Sequence, residues 1–202
     1  MGNKFPDRPI PLNAKLVPDN ARKVFTGKLY EVYQWDQKMF DGTTKVFEML
    51  KRADTAVIIP VVGEEIVIIK EQQPDIATRD DVPVGRVDAN ESVKDTALRD
   101  LKEETGIEPV ELFYVDSEQN EVKIESFVHI FLAKDIKVQH TPSPDNGEKI
   151  EVTRVSIDNY IQLCKNFEVK LAHKLFTLLV NNEEQKFKQM LQMPEKFFQK
   201  VY

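Results

Sequence analysis

Apolar residues along most of the chain come in short blocks rather than long stripes, and the blocks predict strands. Residues 24–26 precede Gly27. Residues 29–35 are rich in β-formers with partial alternation, Asp41-Gly42 is a hairpin signal, and 44–51 supplies the return strand. The blocks at 55–62 and 66–70 are almost continuously apolar, which predicts strands covered on both faces, joined by a turn at Gly63-Glu64-Glu65. The polar stretch 72–81 reads as a loop, and Val82-Pro83-Val84 leads into Gly85. Further strands are expected at 110–115, 125–133 and 150–155, with a loop over 140–149. Helical spacing returns at 160–165, where Asp158 can cap, and in one longer helix over 170–187 with Leu171, Leu175, Leu178 and Leu179 on one stripe. Residues 1–22, rich in Pro, Asn, Asp and Lys, read as an irregular arm.

One segment breaks the strand pattern. Ser92 is a good N-cap, Asp95 a short capping-box partner and Gly106 a natural stop, so the spacing predicts a helix between them. At about 100° per residue, Asp100 and Glu104 point the same way as Val93 and Ala97, the face an amphipathic helix buries. Arg99 and Glu103 lie one turn apart and can pair. Carboxylates crowded at the edge of a buried face repel one another and lose hydration, and a hard divalent cation relieves both penalties. Mg²⁺ suits such a set, because it takes a few carboxylates and completes its shell with water and phosphate oxygens.

Composition narrows the picture. The 202 residues suffice for one domain with a small appendage, and 41% apolar content is globular. A net charge of −6 argues against a dedicated nucleic-acid binder. The single cysteine, Cys164, excludes an intrachain disulfide and a cysteine zinc cluster, and reads as a core residue in a reducing, cytoplasmic setting. The N-terminal residues carry no hydrophobic signal core, and no apolar run is long enough for a membrane helix. His129, His140 and His173 have no ligand-like spacing and read as structural. Trp35 and Tyr33 fit either a base-stacking platform or ordinary packing in a hairpin.

The stretch from Gly85 to Ile107 resembles the Nudix box, Gly-x5-Glu-x7-Arg-Glu-U-x-Glu-Glu-x-Gly-U, where U is bulky and apolar. Gly85, Glu91, Arg99, Leu101, Glu103, Glu104, Gly106 and Ile107 fall in register, and Asp100 replaces one Glu. Over about residues 24–185 the layout is similar to the ADP-ribose pyrophosphatase branch of that superfamily. The matching pieces are the run from Phe47 to Arg52, Glu71-Gln72-Gln73-Pro74, the turn from Asp81 to Gly85, and the late loop from Asn146 to Val152. The resemblance implies an α/β fold, a Nudix α/β/α sandwich with a mixed sheet, preceded by a small antiparallel β unit. The expected division is 1–52 for the arm and β unit and 53–202 for the hydrolase domain.

By the same resemblance, metal is held by the carbonyl of Val84 and the carboxylates of Asp100, Glu104 and Glu148, with Glu103 in support. Glu148 or Glu104 orients or deprotonates the attacking water, and Arg99 holds Glu103. Phe47 stacks on the base and Glu48 contacts its edge. The implied cofactor is Mg²⁺ with Mn²⁺ as a substitute, the implied substrate a nucleoside diphosphate linked to a sugar, with ADP-ribose in the lead, and the implied assembly a homodimer. Several positions depart from the pattern. Asp100 is one methylene shorter than Glu, Gln73 stands where a phosphate-binding Arg is usual, Asp81 replaces a Glu, and Asn146 stands where some relatives carry a second acid. The run 116–120 replaces a Ser-Pro-Gly segment. Asp100 and Gln73 also suit a second reading, a non-catalytic nucleotide-binding module with a weakened box. A third, a sanitising enzyme for oxidised nucleoside triphosphates, fits poorly with the N-terminal β unit.

Overall fold

A computed structural model of the chain describes residues 6–202 apart from residues 75, 145, 146 and 170, so the position of Asn146 lies outside the described residues. Among the described residues the strands form a four-stranded and an eight-stranded sheet. The smaller holds β1 (Arg22–Thr26), β2 (Glu31–Lys38) and β3 (Thr44–Lys51), antiparallel in sequence order, with the Asp41-Gly42 turn between the last two. The larger is built on β4 (Thr55–Val62) and β5 (Glu65–Gln73), extended by β6 (Ile76–Asp81) against β5 and β7 (Val84–Arg86) against β4. The expected loop over 72–81 is therefore largely strand: β5 runs on to Gln73 and β6 pairs back on it.

Helix α1 (Val93–Thr105) follows β7, and β8 (Ile107–Glu118) leads away from it. The expected strand 125–133 divides in two. β9 (Ile124–Glu125) joins β3 in parallel, so the small sheet is completed by residues far along the chain. β10 (Val128–Gln139) runs parallel to β4 and antiparallel to β8, which makes the large sheet mixed. β11 (Lys149–Ser156) pairs with β5, and the short β12 (Gln199–Lys200) with β8.

Alternation along β4 sorts its side chains between two cores. Ala56 and Ile58 pack under α1 with Val93, Ala97, Leu101 and Phe131. Ile59 and Val61 face the opposite layer, formed by α2 (Ile157–Lys165), α3 (His173–Val180) and α4 (Glu184–Gln192). This is the α/β/α sandwich expected from the sequence. Two helix boundaries differ. The α2 N-cap is Ser156, whose hydroxyl accepts from the Asn159 N–H at 3.2 Å, while Asp158 sits in the first turn and pairs with Lys188. The expected helix 170–187 breaks into α3 and α4 at Asn181 and Asn182, the latter at φ 60°. Cys164 is buried among the α2–α4 core residues. His129 is also fully buried, between Ser117 and Asp54.

Candidate active site

The site is assembled where β7 meets α1. Gly85 pairs with Ala56 in the sheet, and a side chain there would have to displace Asp100: a Cβ would stand 1.2 Å from Asp100 Oδ2. The Asp100 carboxylate thus lies directly on the β7 backbone. α1 begins as its sequence demands, with the Ser92 hydroxyl accepting from the Asp95 N–H at 3.1 Å and donating to the Asp95 carboxylate at 2.6 Å. It ends at Gly106, φ 74°, where the backbone turns left-handed and a Cβ would meet the His140 carbonyl.

Arg99 organises the acids. Its Nε and Nη2 donate to the two oxygens of Glu91 at 2.9 Å each, a two-pronged charge-assisted pair. Its Nη1 donates to Asp100 at 2.7 Å and Glu103 at 3.2 Å, and Nη2 reaches the Arg86 carbonyl at 3.2 Å. Glu91 also accepts from the Thr96 hydroxyl at 2.7 Å. The pairing with Arg99 holds the Glu91 carboxyl down, to about 2. The sequence suggested the Arg99–Glu103 pair but not that Glu91 is the main partner. The matching Glu-x7-Arg spacing was the available signal.

Asp100 and Glu104 are both buried at the helix face turned to β7. Asp100 Oδ2 is inaccessible and has no hydrogen-bond partner among the described residues. Burial, opposed in part by Arg99 and reinforced by Glu103, pushes the Asp100 carboxyl up to about 7. Burial and then the charges of Asp100 and Glu148 push Glu104 up to about 9. The Val84 N–H donates to it at 3.4 Å, a modest opposing contact. These two acids resist ionising together, which is the electrostatic signature of a place that gains by taking a cation.

The far wall comes from the loop before β11. That loop is docked on the end of α1 by the Ser143 N–H to the Glu103 carbonyl and the His140 N–H to the Gly106 carbonyl, both 2.7 Å. Glu148, at the end of that loop, lines the same cleft as Glu104. Val84, Asp100, Glu103, Glu104 and Glu148 together line one cavity of about 370 Å³, with Arg86 and Asp88, which the sequence did not single out, at its edge. Gln73 lies at the border, donating to Glu148 at 3.1 Å and contacting Glu71. Among the described residues the acids do not converge into a closed three-ligand cluster: Asp100 and Glu103 lean on Arg99, and Glu148 on Gln73. Phe47 and Glu48 lie on β3 and are not among the residues lining this cleft. Phe47 has Trp35 at 6.1 Å between ring centroids and the Lys123 ammonium 4.9 Å from its own, and Glu48 accepts from Gln34 at 2.8 Å.

The family model of the NUDIX domain matches residues 51–177, which span β4 to α3 and the whole acidic cleft. The chain belongs to the Nudix family. It is accordingly a hydrolase, and similar to the ADP-ribose pyrophosphatases of the family. The ADP-ribose pyrophosphatase of Bacillus subtilis strain 168 is 27% identical over 160 residues, covering 77% of this chain and 86% of that protein. The methanol dehydrogenase activator of Bacillus methanolicus is 22% identical over 82% of this chain and 86% of its own length. The ADP compounds hydrolase NudE of Escherichia coli strain K12 is 22% identical, over 81% and 90% respectively. A crystal structure of an ADP compounds hydrolase superposes with a TM-score of 0.66 at 21% identity, covering 88% of this chain and 98% of that one, so this Nudix chain shares its fold.

Proposed function

We propose that the chain hydrolyses the diphosphate bond of a nucleoside diphosphate linked to a sugar, with ADP-ribose the lead substrate and AMP and ribose 5-phosphate the products. The observation that carries the reading is the buried, unpartnered Asp100 oxygen beside Glu104, in a cleft that Glu148 also lines. An all-oxygen donor set of the Val84 carbonyl and the Asp100, Glu104 and Glu148 carboxylates, with Glu103 in support, fits Mg²⁺, and Mn²⁺ as its substitute. When bound, such an ion neutralises diphosphate charge and acidifies a water. The chain's residues do the rest. Arg99 holds Glu91, Asp100 and Glu103 in register. Glu148, which lines the cleft with Glu104, accepts the proton of the attacking water, and Glu104 is the alternative acceptor. Gln73 stands where a cation is usual, and its neutral amide reaches substrate phosphate on releasing Glu71 or Glu148.

Phe47 and Glu48 serve the base from the small sheet of a partner copy, which makes the working unit a homodimer. No helix among the described residues is long and apolar enough to cross a membrane. The lone cysteine is what supports a cytoplasmic setting.

The test is a panel of nucleoside diphosphate sugars and nucleoside triphosphates assayed with Mg²⁺, with Mn²⁺ and with excess chelator. Metal-dependent release of AMP from ADP-ribose, abolished by chelation, is the expected result. Full turnover in chelator would sink the chemistry. Tight nucleotide binding without turnover would replace it with the binding-module reading that Asp100 and Gln73 favour.

A further inference from the structure

The N-terminal arm is fastened to the catalytic helix by contacts that the box pattern does not include. The Asp7 carbonyl accepts from the N–H of Val93, the first residue of α1, at 3.0 Å. The next residue, Arg8, is clamped on the hydrolase core. Its Nε and Nη2 donate to the two oxygens of Asp54 at 2.6 and 3.0 Å, its Nη1 to Glu125 at 3.2 Å, and its guanidinium lies 4.5 Å from the centre of the Phe127 ring. Asp54 and Glu125 are both buried; Glu125 also pairs with Lys51 at 2.8 Å, so Asp54 is the acid that leans most on Arg8. The Asp54 carboxylate further accepts from the Phe127 N–H at 2.9 Å and meets His129 Nε2 at 3.1 Å.

The same Asp54 also holds the other end of the box loop, its carbonyl accepting from the Val87 N–H at 3.0 Å. The loop 88–92 is thus pinned at both ends to one anchor. Val87 hangs on the Asp54 backbone, and Val93 hangs on Asp7, whose neighbour is forked onto the Asp54 side chain. Inside that closed circuit sits Glu91, the main partner of Arg99, which in turn bonds Asp100 and Glu103.

We propose that Arg8 is a positioning residue for hydrolysis: by clamping the arm on Asp54 it fixes the start of α1 and the Glu91 loop, and through Arg99 the placement of the acidic cleft. The inference rests on reading that cleft as the reaction centre. Arg8 itself is not among the cleft residues, so its loss should act on the chemical step more than on substrate affinity.

The experiment compares the 202-residue chain with its R8A and R8K variants, using the best substrate of the panel and amide hydrogen exchange in parallel. R8A is expected to lower kcat by ~10-fold or more with KM held within about twofold. Added guanidinium ion should restore part of the R8A rate while leaving the parent protein unaffected. Exchange should rise selectively over residues 87–96. R8K keeps the charge but not the fork, should fall between, and carries the test if R8A does not fold. An R8A kcat within about twofold of the parent with unchanged exchange overturns the proposal. So does a loss that guanidinium fails to relieve and that accompanies a uniform rise in exchange across the core. If no substrate is turned over, the proposed function fails separately, and exchange alone decides: a rise confined to 87–96 supports the clamp, and none overturns it.

Discussion

Gly85 and Asp100 form a matched pair, and the pair explains why the box begins with glycine. A methyl group at position 85 would need the space of the Asp100 carboxylate. Gly85→Ala should therefore turn Asp100 out of the cleft, weaken Mg²⁺ binding and lower turnover by about tenfold, or about 1.4 kcal/mol, read from kcat against Mg²⁺ concentration. Glu104→Gln should be worse, by at least ~100-fold, or about 2.7 kcal/mol, because Glu104 has the longer reach of the two acids and Gln keeps its shape without the charge. A pH dependence follows from the same two acids. Their carboxyls lie at about 7 and about 9 in the metal-free fold, well above their ordinary values near ~4. The folded chain then holds protons that the unfolded chain has released. Stability from this source is present in full below about pH 4 and is lost as pH rises through about 7 and 9. Thermal melts in chelator should fall across that range more steeply than melts in saturating Mg²⁺, which binds the ionised form. Equal slopes in the two conditions would contradict the metal reading. Most of this was legible: helical spacing alone put Asp100 and Glu104 on the buried face. The contact with Gly85 was not, because residues fifteen apart in sequence meet only once β7 is paired into the sheet.

At the scale of elements, legibility followed how strongly each segment declares itself locally. α1 carries its own start and stop in Ser92 and Gly106 and was placed almost to the residue. β6, with the sequence IATRDD, reads as loop because its stretch of the chain is polar. It is a strand because β5 offers it an edge, and tertiary pairing overrides weak propensity. The break between α3 and α4 was missed for want of Gly or Pro, yet Asn182 takes the left-handed backbone that asparagine tolerates better than most residues. The cap of α2 was assigned to Asp158 and belongs to Ser156. Urea unfolding separates the two roles. Ser156→Ala should cost about 1 kcal/mol by exposing an unmet N–H. Asp158→Ala removes only an exposed pair with Lys188 and should cost roughly 0.5 kcal/mol or less.

For the whole molecule, the continuous apolar runs of β4 and β5 announced strands covered on both faces, and the sandwich follows from them. The small sheet is another matter. β1 is exposed along its whole length, and Phe25, Phe40 and Val46 stand well out in solvent. A four-stranded sheet with so little of its own core is poorly stabilised alone, and its exposed apolar surface supports the proposed second copy. Phe47 and Glu48, on that sheet, are absent from the lining of the acidic cleft in their own protomer. In a closed two-fold dimer the same patch of each copy meets the other, so each sheet can serve its partner's cleft. Light scattering at micromolar concentration should therefore give the dimer mass. Complementation goes further. Phe47→Ala and Glu104→Gln should each be impaired as pure proteins. After co-refolding, half the dimers are mixed, and each mixed dimer joins an intact Glu104 from one chain to an intact Phe47 from the other in one of its two clefts. Activity should recover to about a quarter of the parent value. If Phe47 serves its own chain's cleft, or the protein is a monomer, mixing restores nothing.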